Sequence, residues 1–283
     1  MQIKVKKSFN DFLDSSIFVN KYDLTRTVVK DSKKGNTLYL LMLLIVGSVI
    51  TLLLDFITSV IGYNNPGRYL AYSLFTYLFC ILMNNMIFYA FVRCVRHQKL
   101  QKEDLRTMIK MAGIQIVCAI LLSLVQNFFL TAGVTALSFN VKVSVIVSII
   151  ITWFFTMLNA VVSFQIYDHK KGVKNLFTTA YEIVIDNWKV LGMISLLFLS
   201  WKFISSVAFT DIVATEIVQV QNINNVFHAL LFAKNYAVLS QVLIYNVVNL
   251  IVAGYFEIYF LLALAYFYDL KIGQVKKVKK RKY

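Results

Sequence analysis

Six separate runs of twenty or more mostly apolar residues leave this chain few ways to fold. They fall at 38–62, 69–92, 110–130, 142–166, 189–209 and 238–268. Runs of about 18 or more apolar residues are long enough to cross the roughly 30 Å hydrocarbon core of a bilayer as helices. Hydrocarbon holds no water to satisfy backbone N–H and C=O groups, so each run must close its own hydrogen bonds. The alternation expected of a membrane β-barrel strand is absent. The runs therefore predict an all-α polytopic membrane protein: six transmembrane helices as three hairpins, with cytoplasmic amphipathic helices. The last run, at about 46 Å by the 1.5 Å helical rise, predicts tilt, a bend near Gly254 or projection into the cytoplasm. Trp201 and Lys202 interrupt the outer part of the fifth run.

Orientation follows from where the charge lies. Of 29 lysines and arginines, 25 fall in the N-terminal segment, 93–110, 167–189 and 271–283; only Arg68, Lys142, Lys202 and Lys234 fall on the other side. Cytoplasmic loops carry the excess of Lys and Arg, so both termini are expected in the cytoplasm. The net charge of +15 thus reads as a topology signal, and nucleic acid is not an expected partner. With a single proline, Pro66, and only ten glycines, no linker divides the chain. The expected division is a cytoplasmic amphipathic N-terminal segment (1–37), a six-helix membrane domain (38–270, external segment about 210–237) and a basic cytoplasmic tail (271–283). The first 37 residues are polar and charged, unlike a cleavable leader. In the tail, Lys276, Lys277, Lys279, Lys280, Arg281 and Lys282 suit anionic lipid headgroups, at about 1 kcal/mol per basic residue near the surface; a solvated stop-transfer flank is the plainer reading. The wealth of Lys, Asn, Ile and Tyr fits an AT-rich bacterial genome and hence a bacterial cytoplasmic membrane.

Two patterns recur. Span four closes Tyr167-Asp168-His169-Lys170-Lys171-Gly172 and span six closes Tyr268-Asp269-Leu270-Lys271-Ile272-Gly273, a shared Y-D-x-K-x-G. The lead-ins Asp23-Leu24-Thr25-Arg26 and Asp104-Leu105-Arg106 echo one another before spans one and three. Both fit duplicated hairpins, and short basic motifs also recur by chance at membrane edges. In 8–22, Phe9, Phe12, Leu13 and Ile17 lie at helical spacing with Asp11 and Asp14 between them, the pattern of a helix lying in the interface. Segments 97–109 and 172–186 are read the same way, as bilayer anchors or as docking elements.

No nucleotide-binding, hydrolase or metalloprotease motif is present. Cys80, Cys94 and Cys118 have no paired spacing and read as small apolar fillers. His97, His169 and His228 are divided between the two sides, so no metal and no cofactor are expected. The chemistry-bearing candidates are polar groups inside spans, which are costly in lipid. Asp55 and Lys202 share the outer third of their helices; either they pair, or each reaches separately for the outer headgroups. Glu257 shares a layer with Asn84, Asn85, Gln115 and Asn159, and shares a helical face with Asn249 and Asn246. A carboxyl ringed by amides is either a protonatable or cation site in a transport path, or interhelical glue worth about 0.6 kcal/mol per contact.

The run from Phe164 to Leu197, with Tyr167-Asp168, Gly172, an amphipathic stretch and then Asn187-Trp188 and Leu191-Gly192, resembles bacterial multi-span membrane-domain families, including the one attached to some glycerophosphodiester phosphodiesterases. The close of span six, Tyr266-Phe267-Tyr268-Asp269-Leu270-Lys271, is similar to the ending of that group. The resemblance implies a multi-span helical fold and no activity, because the phosphodiesterase chemistry belongs to a soluble domain that these residues do not include. Two roles fit. The first is a transport or export component, permease-like, which docks on a cytoplasmic ATPase subunit for its energy. The second is a non-enzymatic interaction protein (immunity, assembly or regulation). An enzyme acting on lipid would want a second acid near Glu257, and none is present at that depth.

Overall fold

The computed structural model describes residues 37–136, 141–168, 173–217 and 236–272. The amphipathic stretch 8–22, the lead-in from Asp23, residues 218–235 of the external segment and the basic tail lie outside the described residues. Every described element is a helix: α1 Thr37–Asn64, α2 Pro66–Val95, α3 Lys102–Ala136, α4 Val141–Tyr167, α5 Val173–Asp186, α6 Trp188–Ile217 and α7 Tyr236–Lys271. Six of them, all but α5, are long and apolar enough to cross a membrane. The chain is an all-α polytopic membrane protein.

The closest pairings are α1 with α2, α3 with α4, and α6 with α7: three hairpins, each made of neighbours in sequence. Outward-facing Leu38, Met42, Val46, Val49, Leu53 and Ile57 on α1 are all exposed. Their spacing of three or four keeps them on one face, and in a membrane protein such a stripe meets lipid rather than water. Trp201 and Lys202 do not break α6, which runs through both. Helix α7 has 36 residues, about 54 Å of helix, and touches five other helices. Its Gly254 is buried, with Leu41 and Leu44 of α1 against it. A β-carbon built on Gly47 would run into Ile87 Cδ1, so Gly47 lets α1 and α2 approach.

The core is not spread evenly along the bundle. It concentrates at the end where the sequence gathers its lysines and arginines, here called the basic end. Nearly all of Ile87–Val95 on α2, Met157–Tyr167 on α4 and Ile258–Asp269 on α7 is buried, with Ala90, Phe91, Met157, Phe164, Leu261 and Tyr268 fully so. Toward the opposite end the same helices are largely half-buried or exposed, as with Leu74, Phe75, Ile146, Ile150, Ile244 and Val248. The bundle is closed by packing at one end and looser at the other.

Two local devices shape the basic end. Helix α2 stops in a pair of reversed hydrogen bonds, His97 N–H to Cys94 O (3.0 Å) and Gln98 N–H to Arg93 O (2.7 Å). This is the Schellman arrangement, which needs a left-handed residue just past the cap. His97 holds that place with φ +57°, and Arg96 becomes the C-cap. Helix α3 then starts at Lys102, with the Asp104 carboxylate accepting from Gln101 N–H at 2.8 Å, half of a capping box. That start changes the reading of 97–109. The segment is a tight turn followed by the first turns of a continuous span, because Asp104 is spent on the cap and on Arg93. Helix α5 stands alone; Leu176, Ala180, Ile183 and Val184 are buried while Asn175, Thr178, Glu182 and Asp186 are exposed. Its apolar face thus packs against protein, anchored by Gln165 Nε2–H to Leu176 O at 2.9 Å.

A left-handed backbone costs a residue bearing a β-carbon roughly 1 kcal/mol or more. Replacing His97 by glycine is therefore expected to stabilise the protein by up to about 1 kcal/mol, read as a higher thermal unfolding midpoint in detergent.

Candidate functional site

The two Y-D pairs of the repeated motif converge. Asp168, one residue past α4, and Asp269, in the last turn of α7, both bond the guanidinium of Arg96 at the cap of α2. Arg96 Nη2 lies 2.6 Å from Asp168 Oδ2 and 2.7 Å from Asp269 Oδ1; Nη1 donates to Asp168 Oδ1 at 2.9 Å and Nε to Asp269 Oδ2 at 3.1 Å. Two tyrosines complete the shell of Asp168: Tyr89 donates to Oδ1 at 2.8 Å and Tyr268 to Oδ2 at 2.9 Å. Tyr167 stacks on Tyr89 with ring centroids 4.6 Å apart. The aspartate side chains are almost wholly buried and Arg96 is 14% exposed. One turn earlier on α2, Arg93 bonds Asp104 at 2.5 Å, tying α2 to the start of α3. On the surface, Lys271 reaches Glu182 at 3.0 Å, but both side chains are half exposed and such pairs are worth about 0–1 kcal/mol.

Burial works against the charge on Arg96, but the two carboxylates outweigh it and raise its pKa further. For Asp168, burial pushes upward, while Arg96 and the two tyrosine hydroxyls pull harder and hold it below its ordinary 3.8. This cluster fastens α2, α4 and α7 together; we call it the clasp.

Inside the membrane, the sequence candidates separate. Asp55 does not pair with Lys202. It lines a cavity of about 710 Å³ between α1 and α2 with Thr51, Thr58, Tyr69, Ser73, Thr76, Tyr77 and Cys80. Lys202 on α6 instead shares a cavity of about 280 Å³ with Glu257 on α7, Phe198, and Ser148, Ile149, Thr152, Trp153 and Thr156 of α4. No ion pair within 4.0 Å joins the two. The ammonium lies over the Phe198 ring, 5.6 Å from its centroid.

The amide ring expected around Glu257 does not form. Asn159 donates to Asn85 at 3.4 Å, a long bond between α4 and α2. Asn249 accepts from Trp201 Nε1 at 2.9 Å, and Asn246 donates to Val242 O within its own helix. Asn84 is exposed. The Gln115 amide is buried beside the Tyr167 hydroxyl. None of these amides bonds the Glu257 carboxyl, which is left to the cavity. Among the described residues no group of three or more His, Cys, Asp or Glu side chains could hold a metal, and no disulfide joins Cys80, Cys94 and Cys118.

Sequence reasoning found Asp168 and Asp269 only as part of a repeat and missed Arg96, Tyr89 and Arg93. The signal present was an acid repeated at the most basic edge of the chain, which calls for a buried cation; which of the nearby arginines supplies it was not readable.

No protein-family model, no curated protein and no solved structure matches this chain. Its functional reading therefore rests on its own geometry.

Removing one partner of a buried ion pair typically costs about 3–5 kcal/mol, so Arg96→Ala is expected to lower stability by that much. Arg96→Lys should recover little, since an ammonium cannot fork to two carboxylates. Thermal unfolding in detergent reads both. Because the Asp168 carboxyl is depressed, its contribution is fully present above its ordinary 3.8 and is lost as pH falls through the lower folded value. Stability should thus fall steeply at acid pH in the parent protein, and Asp168→Asn should flatten that part of the profile while lowering stability at neutral pH.

Proposed function

We propose that this chain is the membrane-spanning, non-enzymatic component of a transport or export system in a bacterial cytoplasmic membrane, with the basic end in the cytoplasm. One observation carries the reading: a cavity with a carboxyl and an ammonium that no described residue pairs lies above a sealed apolar layer. Glu257 is twelve residues from Asp269, about 18 Å along α7. That interval holds fully buried Ile258, Leu261, Leu264 and Tyr268. Transporters place their sites near mid-membrane and expose them alternately by rocking one bundle against another. A bundle packed shut at one end and loose at the other, with charged groups between, suits that cycle in its form closed to the cytoplasm.

In this reading the clasp is the inner gate. It joins one helix of each hairpin, so releasing Arg96 would free all three at once. With no nucleotide motif in the sequence, energy would come from a partner subunit or an ion gradient. Helix α5, with Tyr181 and Ile185 exposed, together with Trp188, exposed at the start of α6 just past Asp186, suits the docking of a cytoplasmic ATPase subunit. The basic tail would lie against anionic lipid.

The test uses a background with the three native cysteines replaced and a single Thr156→Cys in the cavity. A membrane-impermeant maleimide is expected to label it from the external side and not from the cytoplasmic side. Adding Arg96→Lys should raise cytoplasmic-side labelling by about tenfold, as loosening the gate shifts the population by over 1 kcal/mol. Absence of labelling from either side in both proteins would sink the transport reading and leave the interaction role.

A further inference from the structure

The Lys202–Glu257 cavity also indicates what it holds, a step that rests on the transport reading for its biological meaning but not for its chemistry. An ionised side chain in a span is expensive, and opposite charges close together in a low dielectric attract strongly. Here Lys202 and Glu257 line one cavity, yet the helices hold them beyond ion-pair contact. The Glu257 carboxylate has no hydrogen bond or ion pair with any described residue. Among the described residues, Lys202 Nζ contacts the Phe198 ring and makes no ion pair. The Trp153 indole N–H, on the same wall, is buried with no acceptor.

We propose that this cavity binds a small zwitterion, its anionic group on Lys202 and its ammonium on Glu257, with its carbon skeleton between Trp153 and Phe198. The alternatives meet a physical objection each. A bare cation would find one carboxylate and a repelling lysine, and a bare anion the reverse. A neutral solute leaves both charges unpaired. The volume, about 280 Å³, sits at the lower edge of the roughly 300–1,000 Å³ common for small-molecule sites, which suits an α-amino acid and not a peptide. Thr152, on the rim, is exposed, so the same chemistry could arrive sideways from the bilayer as the phosphate and ammonium of a phosphatidylethanolamine headgroup.

The full chain, purified in a phosphatidylglycerol nanodisc, is titrated with L-alanine, L-leucine and L-glutamine and read by thermal shift and calorimetry. In parallel come the matching amines and N-acetyl amino acids, which keep one charge each. A second set of nanodiscs contains phosphatidylethanolamine. At least one zwitterion, free or as lipid, is expected to bind saturably, with its single-charge analogues weaker by about tenfold or more. Lys202→Met and Glu257→Gln should abolish the preference; should either fail to fold, the analogue comparison on the unaltered chain decides alone. Equal binding of single-charge analogues overturns the proposal, as does no response to either zwitterion source. If that negative result accompanies the labelling pattern above, the transport reading stands with a different ligand; zwitterion binding without such labelling leaves a binding site and removes transport.

Discussion

One guanidinium holds the basic end together, and the helices make clear why a cation is required there. The C-terminal ends of α2, α4 and α7 all point at this place. Each brings about half a negative charge from its aligned peptide dipoles. Asp168 and Asp269 add two formal charges at the least favourable end of their own helices. Without Arg96 five sources of negative potential would meet in a buried space. With it, each acid has two or more charge-assisted bonds, and Tyr89 and Tyr268 add one hydroxyl donor to each oxygen of Asp168. The close packing of Phe164, Met157 and Leu261 follows, because the helices that carry them are fastened side by side.

The two halves of the bundle obey different rules. At the basic end, the charged side chains of the clasp are paired and apolar groups interlock. Farther along, hydroxyls bond back to their own helices, as Thr156 does to Thr152 O and Thr51 to Gly47 O, which leaves Glu257, Lys202 and Asp55 facing open volume. A protein whose only task was rigidity would have little use for unpaired charges there. Their persistence in a half that packing does not seal is what separates the proposed binding role from a purely architectural one.

Much of the fold was legible because hydropathy is a local property. The six apolar runs match the observed spans to within a few residues at most ends, and nearest-neighbour hairpins follow from short connections. The departures have physical causes. Helix α3 begins eight residues before its apolar run because Asp104 caps it and binds Arg93. The site was legible in depth but not in direction around each helix. Sequence depth puts Lys202 at the level of Asp55 and apart from Glu257, and only the packing of α6 on α7 brings it to the cavity that Glu257 lines. The same limit scattered the amides: Asn249 was read toward Glu257, yet it meets Trp201. The Y-D repeat, noted as a sign of duplication, proved to be the acid half of a three-helix junction whose basic partner lay outside the motif.

The order in which the clasp residues are synthesised has a consequence of its own. Arg96 belongs to the first hairpin, Asp168 to the second and Asp269 to the third. A hairpin can enter the bilayer as soon as its two helices exist, but the junction lacks an acid until the last helix is in place. Until then Arg96 has Asp168 alone, the Tyr268 hydroxyl is missing, and nothing fastens the third helix of the junction to the first two. Assembly is thus checked by chain position: a fault late in translation registers at a residue made long before it, and the nascent protein stays recognisably unfinished until its final span has docked.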